Sequence, residues 1–244
     1  RSFAKKKGIY LIEDNCESLG SKYNNKYLGT YGDFGTYSFY YSHQVCAGEG
    51  GMITCQSKDD YNILKTLRAH GWDRELKIKK VKDFNFINQG FNLRPLEVSA
   101  SIGMNQFKRL DKMMKIRSMN RDMIINKLKK SLKWNNQFNF FNPIKNLKPS
   151  WFGLPLMINK PKTFNKKKYL EFLNKKNIET RPIIGGNFIN QKSIKAHNLK
   201  FNKKDLINSQ KIEDDGFFIG LPNELISKNT LKKLVNYLLY VDRF

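Results

Sequence analysis

Acidic residues are scarce in this chain: 21 Asp and Glu stand against 45 Lys and Arg, a formal net charge of +24. The excess is spread along the whole sequence and forms no dominant basic block. Solvated faces such as Lys166 to Lys168, or Lys232-Lys233, account for it better than a nucleic-acid surface, and no helix-turn-helix or RNA-binding signature accompanies it. Cysteine is rare as well. Cys16, Cys46 and Cys55 are odd in number, and their spacing fits no zinc or iron–sulfur pattern. Reduced thiols in a cytoplasmic protein are therefore expected, with no metal. No apolar run approaches the length of a membrane span, and no signal peptide is visible. The sequence opens at Arg1 on a basic stretch running into an apolar one, which reads as a start inside a longer chain.

What is present is enough for one large domain or one and a half ordinary ones. The chain has 244 residues, 40% hydrophobic and 13% aromatic, so a packed core is feasible and wholesale disorder is excluded. Gly8 to Ile12 reads as a buried parallel strand ending in Glu13-Asp14, and ligands of open α/β sheets sit at that end. Thr36 to Tyr41 and Gly50 to Cys55 read as two further strands. Ser57 to Ala69 has helical spacing behind a Ser57/Asp60 capping pair. Gly71 to Arg94 is a long irregular loop, a kind that is often functional. Pro95 suits a first helical turn, and a helical pattern runs on to about Leu132, long enough to bridge two domains.

The second half begins with a polar connector, Asn135 to Pro149. A strand at Trp151 to Ile158, a helix at Thr163 to Lys176 and a strand at Ile178 to Ile183 follow. Gly185-Gly186-Asn187 turns the chain, Phe217 to Leu221 is a short strand, and Asn229 to Tyr240 a closing amphipathic helix. The expected architecture is a larger α/β lobe over residues 1–110 and a small α+β lobe over 111–244, linked by the helix 95–132.

Four stretches carry longer motifs: Ile12 to Cys55, which includes IEDNCESLGS and CAGEGGMITC; LRAHGWDR from Leu67; GFNLRPLEVSASIGMNQFKRLD from Gly90; and ETRPIIGGNF from Glu179. Together they closely resemble the DegT/StrS-type sugar aminotransferase family over nearly the whole chain. The resemblance implies the aspartate-aminotransferase-like type I fold of pyridoxal-phosphate enzymes, working as a homodimer with shared active sites. Family members begin well before the position of Arg1, so part of the phosphate cradle and sugar pocket is expected upstream.

Carried over residue by residue, the resemblance makes Asp14 the partner of the cofactor's pyridine nitrogen. A carboxylate there keeps the nitrogen protonated and the ring able to accept electrons. Glu17 falls near the cofactor's 3′ oxygen, where a Glu resembles the dehydratase branch. Ser38 matches the serine that binds the cofactor phosphate. Asn92 matches an asparagine that reaches the phosphate of the neighbouring subunit, although turn chemistry explains it about as well. His70 and Arg74 resemble residues near the sugar or its diphosphate, and Arg suits bidentate phosphate recognition. A helix C-terminal role for His70 is the plainer alternative. Arg181 is placed at the mouth of the site, or is a strand-end structural arginine. His197 lies in a polar stretch and reads as surface.

His43 is the decisive position. Most family members have lysine there, and Glu49-Gly50-Gly51 fixes the register. Imidazole cannot form the Schiff base that a lysine amine forms, but it takes and gives protons near neutral pH. The same replacement marks the pyridoxamine-phosphate sugar 3-dehydratases. One of their subgroups carries an iron–sulfur cluster on cysteines in the loop after the LRAHG segment. Gly71 to Gly90 contains no cysteine, so the cluster-free subgroup is implied. Gln44 and Gly48 depart from that subgroup, where a second His and a Met are common.

The implied reaction removes the 3-hydroxyl of a nucleotide-linked 4-keto-6-deoxyhexose, with GDP favoured as the nucleotide and L-glutamate as amino donor, in surface polysaccharide synthesis. A sugar aminotransferase using a different lysine and an inactive cofactor-binding homologue are the alternatives.

Overall fold

The computed structural model describes residues 1–76, 83–159 and 164–244. In chain order the first elements are α1 (Ser2–Lys7), β1 (Ile12–Asp14), β2 (Lys22–Tyr23), β3 (Lys26–Tyr27), β4 (Phe34–Ser38), β5 (Gly51–Cys55) and α2 (Lys58–Leu67). Two helices follow, α3 (Glu97–Phe107) and α4 (Leu110–Lys129). The remainder is β6 (Phe138–Phe140), β7 (Leu147–Lys148), β8 (Gly153–Ile158), α5 (Lys166–Lys175), β9 (Thr180–Arg181), α6 (Lys192–Ala196), α7 (Ile207–Asp215), β10 (Gly216–Gly220) and α8 (Lys228–Leu238). The chain divides into two compact units. One comprises residues 1–112 and 145–150, the other residues 113–144 and 151–244.

In the first unit, β4 lies between β1 and β5. β1 runs parallel to β4, with Asp14 opposite Thr36, and β5 runs antiparallel to β4. A small antiparallel sheet, β3-β2-β7, is completed by residues from beyond α4. The segment expected as a polar connector, Asn135 to Pro149, thus holds two short strands, and its end pairs with Lys22 and Tyr23 in this unit.

The expected buried strand at Gly8 to Ile12 is corrected. Gly8 instead closes α1 in the left-handed conformation at φ 64°, where a side chain would be strained. The paired backbone begins only at Ile12. With β1 at a sheet edge among the described residues, Tyr10 and Ile12 stay 79% and 63% exposed. α2 starts where its cap dictates: the Ser57 hydroxyl accepts the Asp60 N–H at 3.0 Å, and two aspartates in the first turn complement the helix dipole.

The single helix expected over 95–132 is two helices. The Arg109 N–H reaches back only three residues, to the Gln106 carbonyl at 3.0 Å. That tighter bond ends α3, and the regular ladder resumes at buried Leu110.

The second unit is organised around the antiparallel sheet β6-β8-β10-β9. Its apolar core gathers Ile124 and Leu128 of α4, Leu154 and Leu156 of β8, Tyr169 and Leu173 of α5, Phe217 of β10 and Leu238 of α8, all essentially inaccessible. These positions fall at helical spacing on the helices and at alternate positions on the strands, so both faces converge on one interior. The buried Tyr169 hydroxyl donates to the Leu238 carbonyl at 2.9 Å, which removes the penalty of burying it. The strands and helices expected here are present, most of them shorter, and the Phe217 to Leu221 strand is shifted by one residue to Gly216–Gly220. Thr163, the expected start of the Thr163 to Lys176 helix, and residues 77–82 of the expected loop lie outside the described residues. The α6 and α7 helices had no counterpart in the reading of the sequence.

Phe217 stacks edge-on with both Phe138 and Tyr169 and has no exposed surface. Phe217→Ala is expected to lower the unfolding free energy of this unit by about 3–5 kcal/mol, measured by chemical denaturation.

Candidate functional site

Two adjacent carboxylates close β1, and neighbouring residues on a strand face opposite ways. Glu13 faces the chain's own backbone. Its two oxygens accept N–H bonds from Gly29 (2.7 Å), Tyr31 (2.6 Å) and Gly32 (2.5 Å). The carboxylate thus gathers the turn that carries the chain from β3 into β4. Gly29 itself sits at φ 85°, and a Cβ there would collide with the Tyr37 hydroxyl.

Asp14 is left exposed at the C-terminal end of the strand. Its Oδ1 accepts the Cys16 N–H at 3.1 Å and the Thr36 hydroxyl at 3.4 Å. The Cys16 thiol, the Cys16 N–H and then Thr36 hold the carboxyl below the ordinary aspartate range, against a smaller opposing effect of burial. Reciprocally, burial and the neighbouring carboxylate push the Cys16 thiol up, which keeps it protonated and a donor. Oδ2 accepts no hydrogen bond among the described residues. One oxygen is fixed and the other is open, on a carboxylate kept anionic. That arrangement fits a protonated ring nitrogen as partner.

Because β1 and β4 are parallel, their C-terminal ends share one edge of the sheet. Ser38 is the last residue of β4. Its Oγ accepts the Tyr40 N–H at 3.2 Å, which leaves the hydroxyl proton to donate to an anionic oxygen. The loop that follows turns at once. The His43 N–H bonds the Tyr40 carbonyl at 3.0 Å, and the His43 ring meets the Tyr40 ring edge-on at 5.8 Å between centroids. The imidazole is half-buried. The next residue, Gln44, is 4% exposed and donates through Nε2 to the Glu17 carbonyl at 2.5 Å and the Ser150 carbonyl at 3.3 Å. Val45 and Ala47 are buried, and the Ala47 N–H returns to the Phe39 carbonyl at 2.9 Å. The segment after β1, which carries Glu17, is thereby joined to the loop that carries His43.

His70 and Asn92 meet elsewhere in this unit. Ala69 and Asn92 form an isolated antiparallel bridge, and the His70 N–H donates to the Phe91 carbonyl at 2.9 Å. His70 adopts φ 63° just past the end of α2, in a turn closed by the Gly71 N–H on the Thr66 carbonyl at 2.7 Å. Asn92 and His70 are both exposed. Arg74 lays its guanidinium 5.1 Å from the centroid of Trp72, which in turn stacks on Phe84. Arg181 belongs to the second unit, on β9, where its Nε pairs with Glu179 Oε1 at 2.8 Å.

Asp14, Glu17, Ser38 and His43 are thus tied to one sheet edge by strand pairing and the Gln44 bonds, whereas His70 and Asn92 are joined through neighbouring backbone and Arg74 packs on Trp72. Thr36, Cys16, Glu13 and Gln44 were not among the expected site residues. Strand pairing is what sets Thr36 beside Asp14, and no spacing in the sequence signals it. Among the described residues no cluster of His, Cys, Asp or Glu could hold a metal ion, and no helix is long and apolar enough to cross a membrane.

Residues 1–238 match the DegT/DnrJ/EryC1/StrS aminotransferase family. The GDP-4-keto-6-deoxy-D-mannose 3-dehydratase of Escherichia coli O55:H7 is 35% identical over 223 residues, which are 87% of this chain and 56% of that protein. A solved structure of GDP-4-keto-6-deoxymannose-3-dehydratase, a variant with bound GDP-perosamine, superposes with a TM-score of 0.81 at 33% identity, covering 98% of this chain and 62% of the other. A second structure of that enzyme, with a trapped PLP-glutamate geminal diamine, gives 0.80 at 32% identity, with 98% and 63% covered. The chain therefore spans somewhat more than half the length of these relatives. Its fold is that of the PLP-dependent aminotransferases, and the chain belongs to the DegT/DnrJ/EryC1/StrS aminotransferase family.

Proposed function

We propose that the whole protein is a pyridoxal/pyridoxamine-phosphate-dependent 3-dehydratase acting on a nucleotide-linked 4-keto-6-deoxyhexose of the GDP-4-keto-6-deoxymannose type, with L-glutamate as amino donor. The observation that carries this reading is the histidine at position 43, on the loop that leaves Ser38 and is tied back to the segment following Asp14. Identity to a 3-dehydratase over most of the chain supports the same choice.

The bound cofactor supplies a protonated ring that accepts electron density from its 4′ carbon. Asp14 holds the ring nitrogen's proton, because hydrogen bonds keep its own carboxylate anionic. The Ser38 hydroxyl would donate to the cofactor phosphate, and Glu17 would serve the ring oxygen. With the cofactor bound, His43 would be the group that takes the proton from the 4′ carbon and gives one to the departing 3-hydroxyl of the sugar. An imidazole suits both steps because it binds and releases protons near neutral pH. His70, Arg74 and Arg181 are assigned to the sugar and its diphosphate, where the chain's positive charge favours capture of an anionic substrate. Asn92 is assigned to the cofactor phosphate of a second subunit, which makes the working form a homodimer. We place the protein in the cytoplasm, without an iron–sulfur cluster, in surface polysaccharide synthesis.

The test is direct. The whole protein is incubated with cofactor, L-glutamate and GDP-4-keto-6-deoxymannose, and the sugar is followed by NMR. Loss of the 3-hydroxyl with release of ammonia is expected. A sugar that keeps the 3-hydroxyl and gains an amine at carbon 4 makes the protein an aminotransferase and ends the dehydratase reading.

A further inference from the structure

We infer that Gln44 is the positioning residue of the site: a buried amide whose two N–H groups hold the His43 loop against the segment that carries Asp14 and Glu17. The inference rests on the proposed role of His43. Its physical basis is the geometry of one side chain. Gln44 is 4% exposed, and its Nε2 reaches the Glu17 carbonyl at 2.5 Å and the Ser150 carbonyl at 3.3 Å. Those carbonyls lie 27 and 106 residues away along the chain, and both belong to the same compact unit as Gln44.

Ser150 is fixed in turn, because its N–H donates to the buried Ser21 hydroxyl at 2.8 Å. The Ser21 N–H then returns to the Ser18 carbonyl at 2.9 Å, on the segment that continues from Glu17. Gln44 therefore closes a ring of hydrogen bonds through three stretches of chain, and His43 is the residue covalently next to it.

The residue type follows from the donors required. Two carbonyl oxygens must be satisfied away from water, and an amide brings two N–H groups on one nitrogen. A glutamate would set its carboxylate against two carbonyls. A methionine of similar size would fill the space and leave both carbonyls without this partner, a loss that is costly only because the site is buried. A histidine can keep one N–H in reach. Catalytic groups tolerate little displacement, and an error of about 1 Å can cost on the order of a hundredfold in rate. Substituting Gln44 is therefore expected to act on turnover more than on substrate affinity.

The experiment compares wild type, Gln44→Met and Gln44→His in the whole protein by two measurements. The first is amide hydrogen exchange of residues 39–47, read by mass spectrometry, which needs no turnover. Gln44→Met is expected to raise exchange in this segment about tenfold while leaving the second unit unchanged. The second is steady-state kinetics. Gln44→Met is expected to lower kcat about 10- to 100-fold with KM within about twofold, and Gln44→His to recover part of the loss.

Unchanged exchange at 39–47 in Gln44→Met overturns the inference, whatever the enzyme turns over. So does raised exchange with wild-type kcat, which would make the tether purely structural, or a general loss of stability that Gln44→His does not relieve. If wild type aminates the sugar instead of dehydrating it, the proposed reaction fails. The exchange and kcat comparison on that amination still decides whether Gln44 positions the loop.

Discussion

Glutamine in place of His43 is expected to slow dehydration by about 10²- to 10⁴-fold, the usual worth of a general acid–base group, while the cofactor still binds. The reasoning separates two duties of the site. Binding is assigned to groups that substitution at 43 does not touch: the anionic Asp14, fixed by Cys16 and Thr36, and the Ser38 hydroxyl, oriented by the Tyr40 N–H. Proton transfer is assigned to position 43 alone. Glutamine keeps a polar group of similar reach but cannot exchange a proton near neutral pH.

The complementary substitution, His43→Lys, places an amine on the same loop. It is expected to attach the cofactor covalently at residue 43, visible as a new absorbance band and, after borohydride reduction, as a cofactor-labelled peptide in mass spectrometry. A folded, cofactor-bound His43→Lys protein with no such label would put position 43 away from the ring. Full dehydration by His43→Gln would remove the histidine from the chemistry.

The second large effect concerns stability. Glu13→Gln is expected to destabilise the protein by about 3 kcal/mol or more, because hydrogen bonds to a charged acceptor are each worth about 1.5–3 kcal/mol net. Three backbone N–H groups converge on this carboxylate, from Gly29, Tyr31 and Gly32. An amide that keeps its carbonyl oxygen toward Tyr31 and Gly32 turns its own N–H groups toward the Gly29 N–H, which then lacks an acceptor. For a chain of these 244 residues the loss corresponds to a melting temperature lower by about 6–12 °C. Glu13→Asp, which keeps the charge on a shorter stem, should recover part of it. A melting temperature unchanged in Glu13→Gln would mean that this cluster of bonds does not hold the turn. Since β4 leaves from that turn and ends in Ser38, the variant should also weaken cofactor binding.

Much of the site was legible in the residues themselves. Histidine followed six positions later by Glu49-Gly50-Gly51 stands where the resembling family keeps a lysine, and the proposed chemistry was read from that replacement without any coordinates. Asp14 was singled out by the same resemblance, and the sheet does place its carboxylate at the C-terminal end of β1. Glu13 beside it was not distinguished. The two carboxylates differ only in which face of the strand they occupy, and the pairing of β1 with β4 decides that. The strand itself begins later than its composition suggested, at Ile12, because Gly8 closes α1 in the left-handed conformation.

The helix over 95–132 shows the same limit in another form. Helical spacing persists across Lys108-Arg109, and only a local hydrogen-bond shift to the Gln106 carbonyl divides it. Helix propensity sums over a window and is blind to one misplaced bond. β7 went unseen because two residues carry no periodicity, and its partner β2 lies more than a hundred positions earlier.

By itself, then, the order of amino acids determined the family, the histidine on which the proposed chemistry rests and the apolar faces that make the second unit's core. These are properties of single residues, or of patterns a few residues long. The tertiary structure alone decided that Cys16 and Thr36 keep Asp14 charged, that Glu13 binds a turn instead of a ligand, and that Gln44 ties the loop beside His43 to Glu17 and Ser150. Each of these is a hydrogen bond between groups far apart in the chain. Its existence depends on distance and direction, which only the folded backbone supplies.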